Sequence, residues 1–111
     1  MKSKARMLGI TGPVRGSGTG RPIMVVLDLL GRRSALRVLW ELRGESLTFR
    51  ALQEAAATNP ALLNTRLKEL RTAGLVEHTG RGYCLTGAGR DLLRAMQPLS
   101  EWAHEWGTCQ R

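Results

Sequence analysis

The sequence predicts a mainly α-helical fold with one small β-hairpin, and three local signals carry that prediction. Asn59-Pro60 starts a helix and Gly74 stops it. The Asn side chain accepts from orphan backbone amides, Pro has no amide to lose in the first turn, and Gly adopts the left-handed cap without penalty. Val76 and His78 alternate against Tyr83 and Leu85 around the turn Thr79-Gly80-Arg81-Gly82, which is the pattern of a hairpin. A helix with Phe49, Leu52, Ala55 and Ala56 on one stripe ends only a tight turn before Asn59. Helix, turn, capped helix and hairpin in this order across Leu47–Thr86 make a winged helix-turn-helix, a unit that places its second helix in the major groove of duplex DNA.

The remaining elements follow in chain order. Residues 1–21 read as a flexible basic tail: five glycines with Ser and Thr between them, too few apolar residues for an amphipathic element, and Lys2, Lys4, Arg6, Arg15 and Arg21 with no acid. Gly16, Gly18 and Gly20 resemble a nucleotide loop only superficially, because no strand precedes them and no Gly-Lys-Ser/Thr follows. Such a tail either stays disordered or reaches a neighbouring groove or backbone as a basic arm. Residues 22–111 form the folded domain. Ile23 to Leu30 is nearly all apolar, broken only by Asp28, and Gly31 ends it; a helix this apolar in a small protein has a face left for a partner subunit, with Val26 and Leu30 on it. Ser34 is expected to cap a helix from Ala35 to Leu42 that Gly44 closes, and Leu47-Thr48 forms a short extended segment. Ala55, Ala56 and Ala57 suit both a close helix crossing and plain helix formation. Thr86 caps a final helical segment, Gly87 to Trp106, with a kink or break expected near Gln97 because of Pro98. Along it Leu92, Met96, Leu99, Ala103 and Trp106 form a seam that Leu93 and Trp102 widen. The three-helix core and its wing are thus expected to carry N- and C-terminal dimerisation helices, with Val26, Leu30, Leu92, Met96, Leu99, Trp102 and Trp106 in a homodimer contact.

The face of the capped helix carries the functional expectation. With Leu63, Leu67 and Leu70 turned inward, a step of about 100° per residue sends Ala61, Asn64, Thr65, Lys68 and Thr72 outward, with no acid among them. Asn64, Thr65 and Lys68 have the donors and acceptors to read base edges, and Ala61 suits a thymine methyl. Arg50 on the preceding helix, Arg66 and Arg71 beside the face, and Arg81 at the hairpin tip are expected on phosphates or in the wing's groove. Charge agrees: 17 basic against 9 acidic residues give +8. The last segment is neutral, with Arg90, Arg94 and Arg111 against Asp91, Glu101 and Glu105, so the excess lies on the tail and the reading unit.

Most of the chain, from about Met24 to Gly107, resembles the HxlR-type winged helix-turn-helix regulators of bacteria. The resemblance lies in LDLLGRRSALRVLWELRGESLTFRALQ, LLNTRLKELRTAGLV, YCLTGAGRDLL and LSEW, in that order and spacing. It implies a homodimeric transcription factor, usually without a separate ligand domain. Ser34 stands where the family usually has Trp, and the wing between Val76 and Tyr83 is several residues shorter than usual. Some such regulators sense oxidants or electrophiles through a cysteine near the N-terminus; here the two cysteines are Cys84 and Cys109.

Other classes find little support. There is no His-Glu-x-x-His, no Cys-x-x-Cys and no recognisable nucleophile motif, so neither catalysis nor a cofactor is expected. His78 and Cys84 across the hairpin would make only a two-ligand metal site. No apolar run reaches the length of a signal peptide or membrane span, which makes the cytoplasm the expected compartment. The expectation is a sequence-specific double-stranded DNA-binding regulator, a repressor acting as a homodimer on a palindromic operator. Two further readings stand beside it: a winged-helix module that binds another protein, and an added small-molecule effector site near Trp40, Trp102 or Trp106.

Overall fold

The computed structural model describes residues 21–110. The expected tail therefore lies outside the described residues, except for Arg21. Six helices and one hairpin follow in order: α1 (Pro22–Leu30), α2 (Ala35–Glu41), α3 (Phe49–Ala56), α4 (Pro60–Thr72), β1 (Val76–Thr79), β2 (Gly82–Leu85), α5 (Gly87–Ala95) and α6 (Gln97–Cys109). This is the winged helix-turn-helix that the sequence predicts. Among the described residues no helix is long and apolar enough to cross a membrane.

One core holds these elements. Val38 and Leu39 of α2, Leu52 and Ala56 of α3, Leu63, Leu67 and Leu70 of α4, and Val76 and Leu85 of the hairpin are all buried together. Each fully buried leucine contributes about 1.5–3 kcal/mol of hydrophobic stabilisation, so the α4 stripe alone is a large fraction of what a small domain can have. Leu29 and Leu30 of α1 and Leu92 and Leu93 of α5 pack against the rim of this core.

Local chemistry sets the boundaries. Asn59 Oδ1 accepts from the Leu62 amide at 2.8 Å, and Pro60 begins α4. At the other end Gly74 takes φ +77°, with its amide donating to the Arg71 carbonyl and the Leu75 amide to the Leu70 carbonyl. That pair of bonds is the Schellman arrangement. Thr86 Oγ1 accepts from the Gly89 amide at 3.1 Å and donates to the Gly74 carbonyl at 2.6 Å, so one side chain caps α5 and ties it to the end of α4. The expected break in the last segment falls at Met96, and Pro98 lies in the first turn of α6.

Ser34 departs from expectation. It precedes α2 but has φ +71° and makes no side-chain capping bond. A capping hydroxyl requires extended backbone at that residue; a left-handed Ser turns its oxygen away from the amides it would satisfy. Ala57 is the other residue forced left-handed, with φ +53°, in the turn between α3 and α4.

The wing is larger than a hairpin. β1 and β2 pair antiparallel with Val76 opposite Leu85 and His78 opposite Tyr83. Leu47 adds a third short edge, its amide and carbonyl both bonded to Tyr83 at 3.0 and 2.8 Å. Gly82 makes this approach possible, because φ is +117° and a Cβ there would run into the Leu47 carbonyl. Gly82→Ala is expected to lower the unfolding free energy by about 2–3 kcal/mol. Ala57→Gly, which removes a left-handed alanine, is expected to raise it by up to about 1 kcal/mol. Urea unfolding measures both, and an Ala57→Gly protein no more stable than the parent would contradict the strain assigned to that turn.

Candidate nucleic-acid interface

With the α4 stripe in the core, Ala61, Asn64, Thr65, Lys68 and Thr72 are all exposed on one outer face. Thr65 Oγ1 donates to the Ala61 carbonyl at 3.1 Å. Its hydroxyl proton is thereby engaged, so it offers a base its acceptor lone pairs and its methyl group. Asn64 and Lys68 have no intramolecular bond among the described residues and present their polar ends to solvent.

The cations divide into two sets. Arg32 binds Asp28 and Glu69, each at 2.9 Å; Arg37 binds Glu41 at 2.7 Å and the Ala55 carbonyl at 2.9 Å. Arg43 lies 4.0 Å over the Trp40 ring and donates to the Trp40 carbonyl, Arg90 donates to the Leu85 carbonyl, and Arg94 pairs with Asp91. Against these, Arg33, Arg50, Lys68, Arg71 and Arg81 have no side-chain partner among the described residues, and all five are exposed. Four of them lie on α3, α4 and the wing tip. Cations without a counter-charge of their own are the ones able to exchange counterions for phosphate.

Arg66, expected on a phosphate, has intramolecular partners. Its Nε donates to the Arg33 carbonyl at 2.7 Å, its Nη1 pairs with Glu69 at 3.1 Å, and its side chain is only 14 % exposed. Helical angle alone places Arg66 beside the reading face, but a carbonyl and a carboxylate on the inner side draw the guanidinium away from it. Arg66 is therefore a positioning residue: with Glu69 and Arg32 it fixes α4 against the α1–α2 loop.

Between the last turns of α4 and β1 runs a groove of about 600 Å³ lined by Lys68, Arg71, Thr72, Val76, Glu77 and His78. His78 has no place in the sequence reading as a DNA contact. Nothing in a strand residue's local pattern shows that it shares a groove with a helix. At the wing tip the Thr79 hydroxyl accepts from the Arg81 amide and donates to the Gly82 carbonyl, which holds the turn that presents Arg81.

The apolar surface lies on other elements. Ile23 and Leu27 of α1 are more than half exposed, as are Leu99, Trp102 and Trp106 of α6, with Trp40 close behind. Trp102 and Trp106 stack with ring centres 6.0 Å apart. Of the residues expected at a dimer contact, Leu30 and Leu92 are partly buried against the core, and Val26 and Met96 are half-buried. The α1 face is turned because Val25, Leu29 and Leu30 meet the domain, which leaves Ile23 and Leu27 outward. A second groove, about 530 Å³ and mostly apolar, runs between α2 and the α5–α6 junction past Leu36, Trp40, Met96 and Leu99. No group of three or more potential metal ligands occurs among the described residues.

A buried-stripe helix with an acid-free outer face, a preceding helix at a tight turn, and a wing tipped by an unpaired arginine define a winged helix-turn-helix DNA-binding protein. The chain belongs to the HxlR-like helix-turn-helix family, whose model matches residues 29–111. A solved structure agrees: quinone-bound YodB from B. subtilis superposes with a TM-score of 0.71 at 27 % identity, covering 75 % of this chain and 96 % of that one. No curated protein sequence matches the chain. The protein is a DNA-binding transcriptional regulator.

The two sets of cations should separate experimentally. Arg66→Ala is expected to cost about 1.5–3 kcal/mol of stability, the worth of hydrogen bonds to a charged group, and to leave the salt dependence of duplex binding unchanged. Arg71→Ala is expected to leave stability within about 0.5 kcal/mol and to reduce the slope of log K against log salt by about one per subunit. Equal salt slopes in the two variants would refute the division.

Proposed function

We propose that the protein is a homodimeric repressor that reads a roughly palindromic operator, one α4 in each of two successive major grooves. The observation that carries this reading is the exposed, acid-free face of α4 flanked by cations without intramolecular partners. Asn64, Thr65 and Lys68 read base edges and Ala61 meets a thymine methyl; Arg50 and Arg71 take phosphates, and Arg81 enters the wing's groove. Repression requires only that the operator be occupied, and no catalytic step is involved.

Dimerisation is proposed on the exposed apolar surface. Ile23 and Leu27 on α1 and Leu99, Trp102 and Trp106 on α6 would together leave an unusual amount of large apolar side chain in water for a monomer. A second copy covers it and holds two reading helices at a fixed separation. A small-molecule effector is part of the proposal as well: the related YodB structure contains a quinone, and the apolar groove beside Trp40 is the cavity here suited to an apolar ligand.

Selection of bound fragments from a genomic duplex pool, followed by titration of Asn64→Ala and Lys68→Ala proteins, tests the reading. Each substitution is expected to cost about 1–3 kcal/mol on the selected site and to relax preference at particular base pairs. Unselective recovery of fragments would favour a protein-binding module instead. Sedimentation is expected to give a dimer for the parent and a monomer for a Leu27→Glu, Trp102→Glu protein; a monomeric parent would remove the two-headed arrangement while leaving the assignment of α4 intact.

A further inference from the structure

The groove between α4 and β1 brings two cations, one carboxylate and one imidazole together. Lys68 and Arg71 come from successive turns of α4, and neither has an intramolecular partner among the described residues. His78 joins them from β1 and is exposed. Its ring is held in place: it stacks on Tyr83, its cross-strand partner, with centres 4.1 Å apart and planes 6° from parallel. Tyr83 in turn meets Phe49 of α3 at 6.4 Å and is hydrogen-bonded to Leu47 through its backbone. The imidazole thus sits on an aromatic platform rooted in the core and needs little ordering to meet a ligand.

We infer that Arg71 and His78 form a seat for one phosphodiester of the bound duplex, beside the base edge that Lys68 reads, and that filling it takes up a proton on His78, so that DNA affinity is coupled to pH. The inference rests on the DNA-binding reading above and assigns His78 a role in it. The charged and titratable groups around the imidazole are Lys68 and Arg71 from α4, Tyr83 from β2 and Glu77 on its own strand. Two fixed cations against one carboxylate leave the groove with a single net positive charge; protonation of His78 makes it two. A phosphate brought against the imidazole favours its charged form. The sign follows from linkage. The phosphate-bound form holds more protons than the free form, so affinity rises as pH falls through the histidine range and levels off above it.

The test is duplex binding by the 111-residue chain, followed by fluorescence anisotropy from pH 5.5 to 8.5 at constant ionic strength. The parent is expected to bind at least about fivefold more tightly at pH 6 than at pH 8, within the limit of one proton, or tenfold per pH unit, per subunit. Its salt slope is expected to be steeper at pH 6 by up to about one per subunit. His78→Gln keeps a hydrogen-bond donor but cannot titrate; its affinity is expected to be flat with pH. His78→Lys is expected to bind at pH 8 as the parent binds at pH 6. His104→Gln, which alters the other histidine, on α6, is expected to keep the parent's profile. A parent that binds duplex with no pH dependence overturns the inference, as does a slope that survives in His78→Gln. Failure to bind duplex at any pH would instead bring down the DNA-binding reading itself, and this inference with it.

Discussion

The burial of Leu63, Leu67 and Leu70 is the constraint on which the rest of the molecule depends. These three side chains are at most 2 % exposed and meet α2, α3 and the hairpin in one cluster. Once they are inside, the rotation of α4 about its axis is set, and the 3.6-residue period sends Ala61, Asn64, Thr65 and Lys68 outward. A helix that must both fill a core and read a groove has no freedom to roll between the two tasks. The caps serve the same end. Asn59 and the Gly74 turn determine where the helix begins and stops, and hence which residues lie near its N-terminal end, the part that goes deepest into a major groove.

Translation and tilt of α4 are controlled by charge. Glu69 receives Arg66 from its own helix and Arg32 from the α1–α2 loop, and Arg32 also holds Asp28 on α1. This chain of ion pairs is only partly exposed, so its bonds are less screened than those at the free surface. It joins the reading helix to α1, the helix whose Ile23 and Leu27 face outward. In the proposed dimer, anything that shifts α1 would act on α4 through Asp28, Arg32 and Glu69. On the other side Arg37 lines the apolar groove and also bonds the Ala55 carbonyl, two residues before the left-handed Ala57 of the turn. An effector in that groove would therefore lie one side chain away from the helix-turn-helix bend.

What could be read from the sequence was whatever depends on short range. Asn59, Gly74 and Thr86 work through amides three or four residues away, and the α4 stripe through a period of the same length, so the reading unit and its outward face were legible. What the sequence does not show depends on a distant partner or an unusual dihedral. Ser34 has the right side chain for a cap and the wrong φ. Arg66 has the right helical angle for a phosphate contact, but the carbonyl of Arg33, 33 positions earlier, claims its Nε. Leu30 and Leu92 lie on apolar stripes whose orientation only the tertiary packing decides. The Leu47 edge and the shared groove of His78 with α4 are likewise long-range facts, visible only once the hairpin is folded back against Leu47 and Lys68.

Residues 22–111 hold 12 basic against 9 acidic residues, so what distinguishes the domain's charge is which of its arginines are paired and which are not. Among the described residues, the arginines remote from the reading unit, Arg33 excepted, pair with a carboxylate or donate to a carbonyl, and they add to stability or at least cost little. Arg50, Lys68, Arg71 and Arg81, left without partners, lie on α3, α4 and the wing, where mutual repulsion opposes folding until a polyanion arrives. Binding relieves that repulsion and releases counterions together, so affinity from this surface is intrinsically dependent on salt and only weakly dependent on sequence. Specificity must then come from the few uncharged or singly charged groups between the cations. Asn64 and Thr65 occupy that central position on α4, and the short wing adds a single arginine. In the proposed complex affinity and selectivity are thereby carried by different side chains of one surface, and each can change without the other.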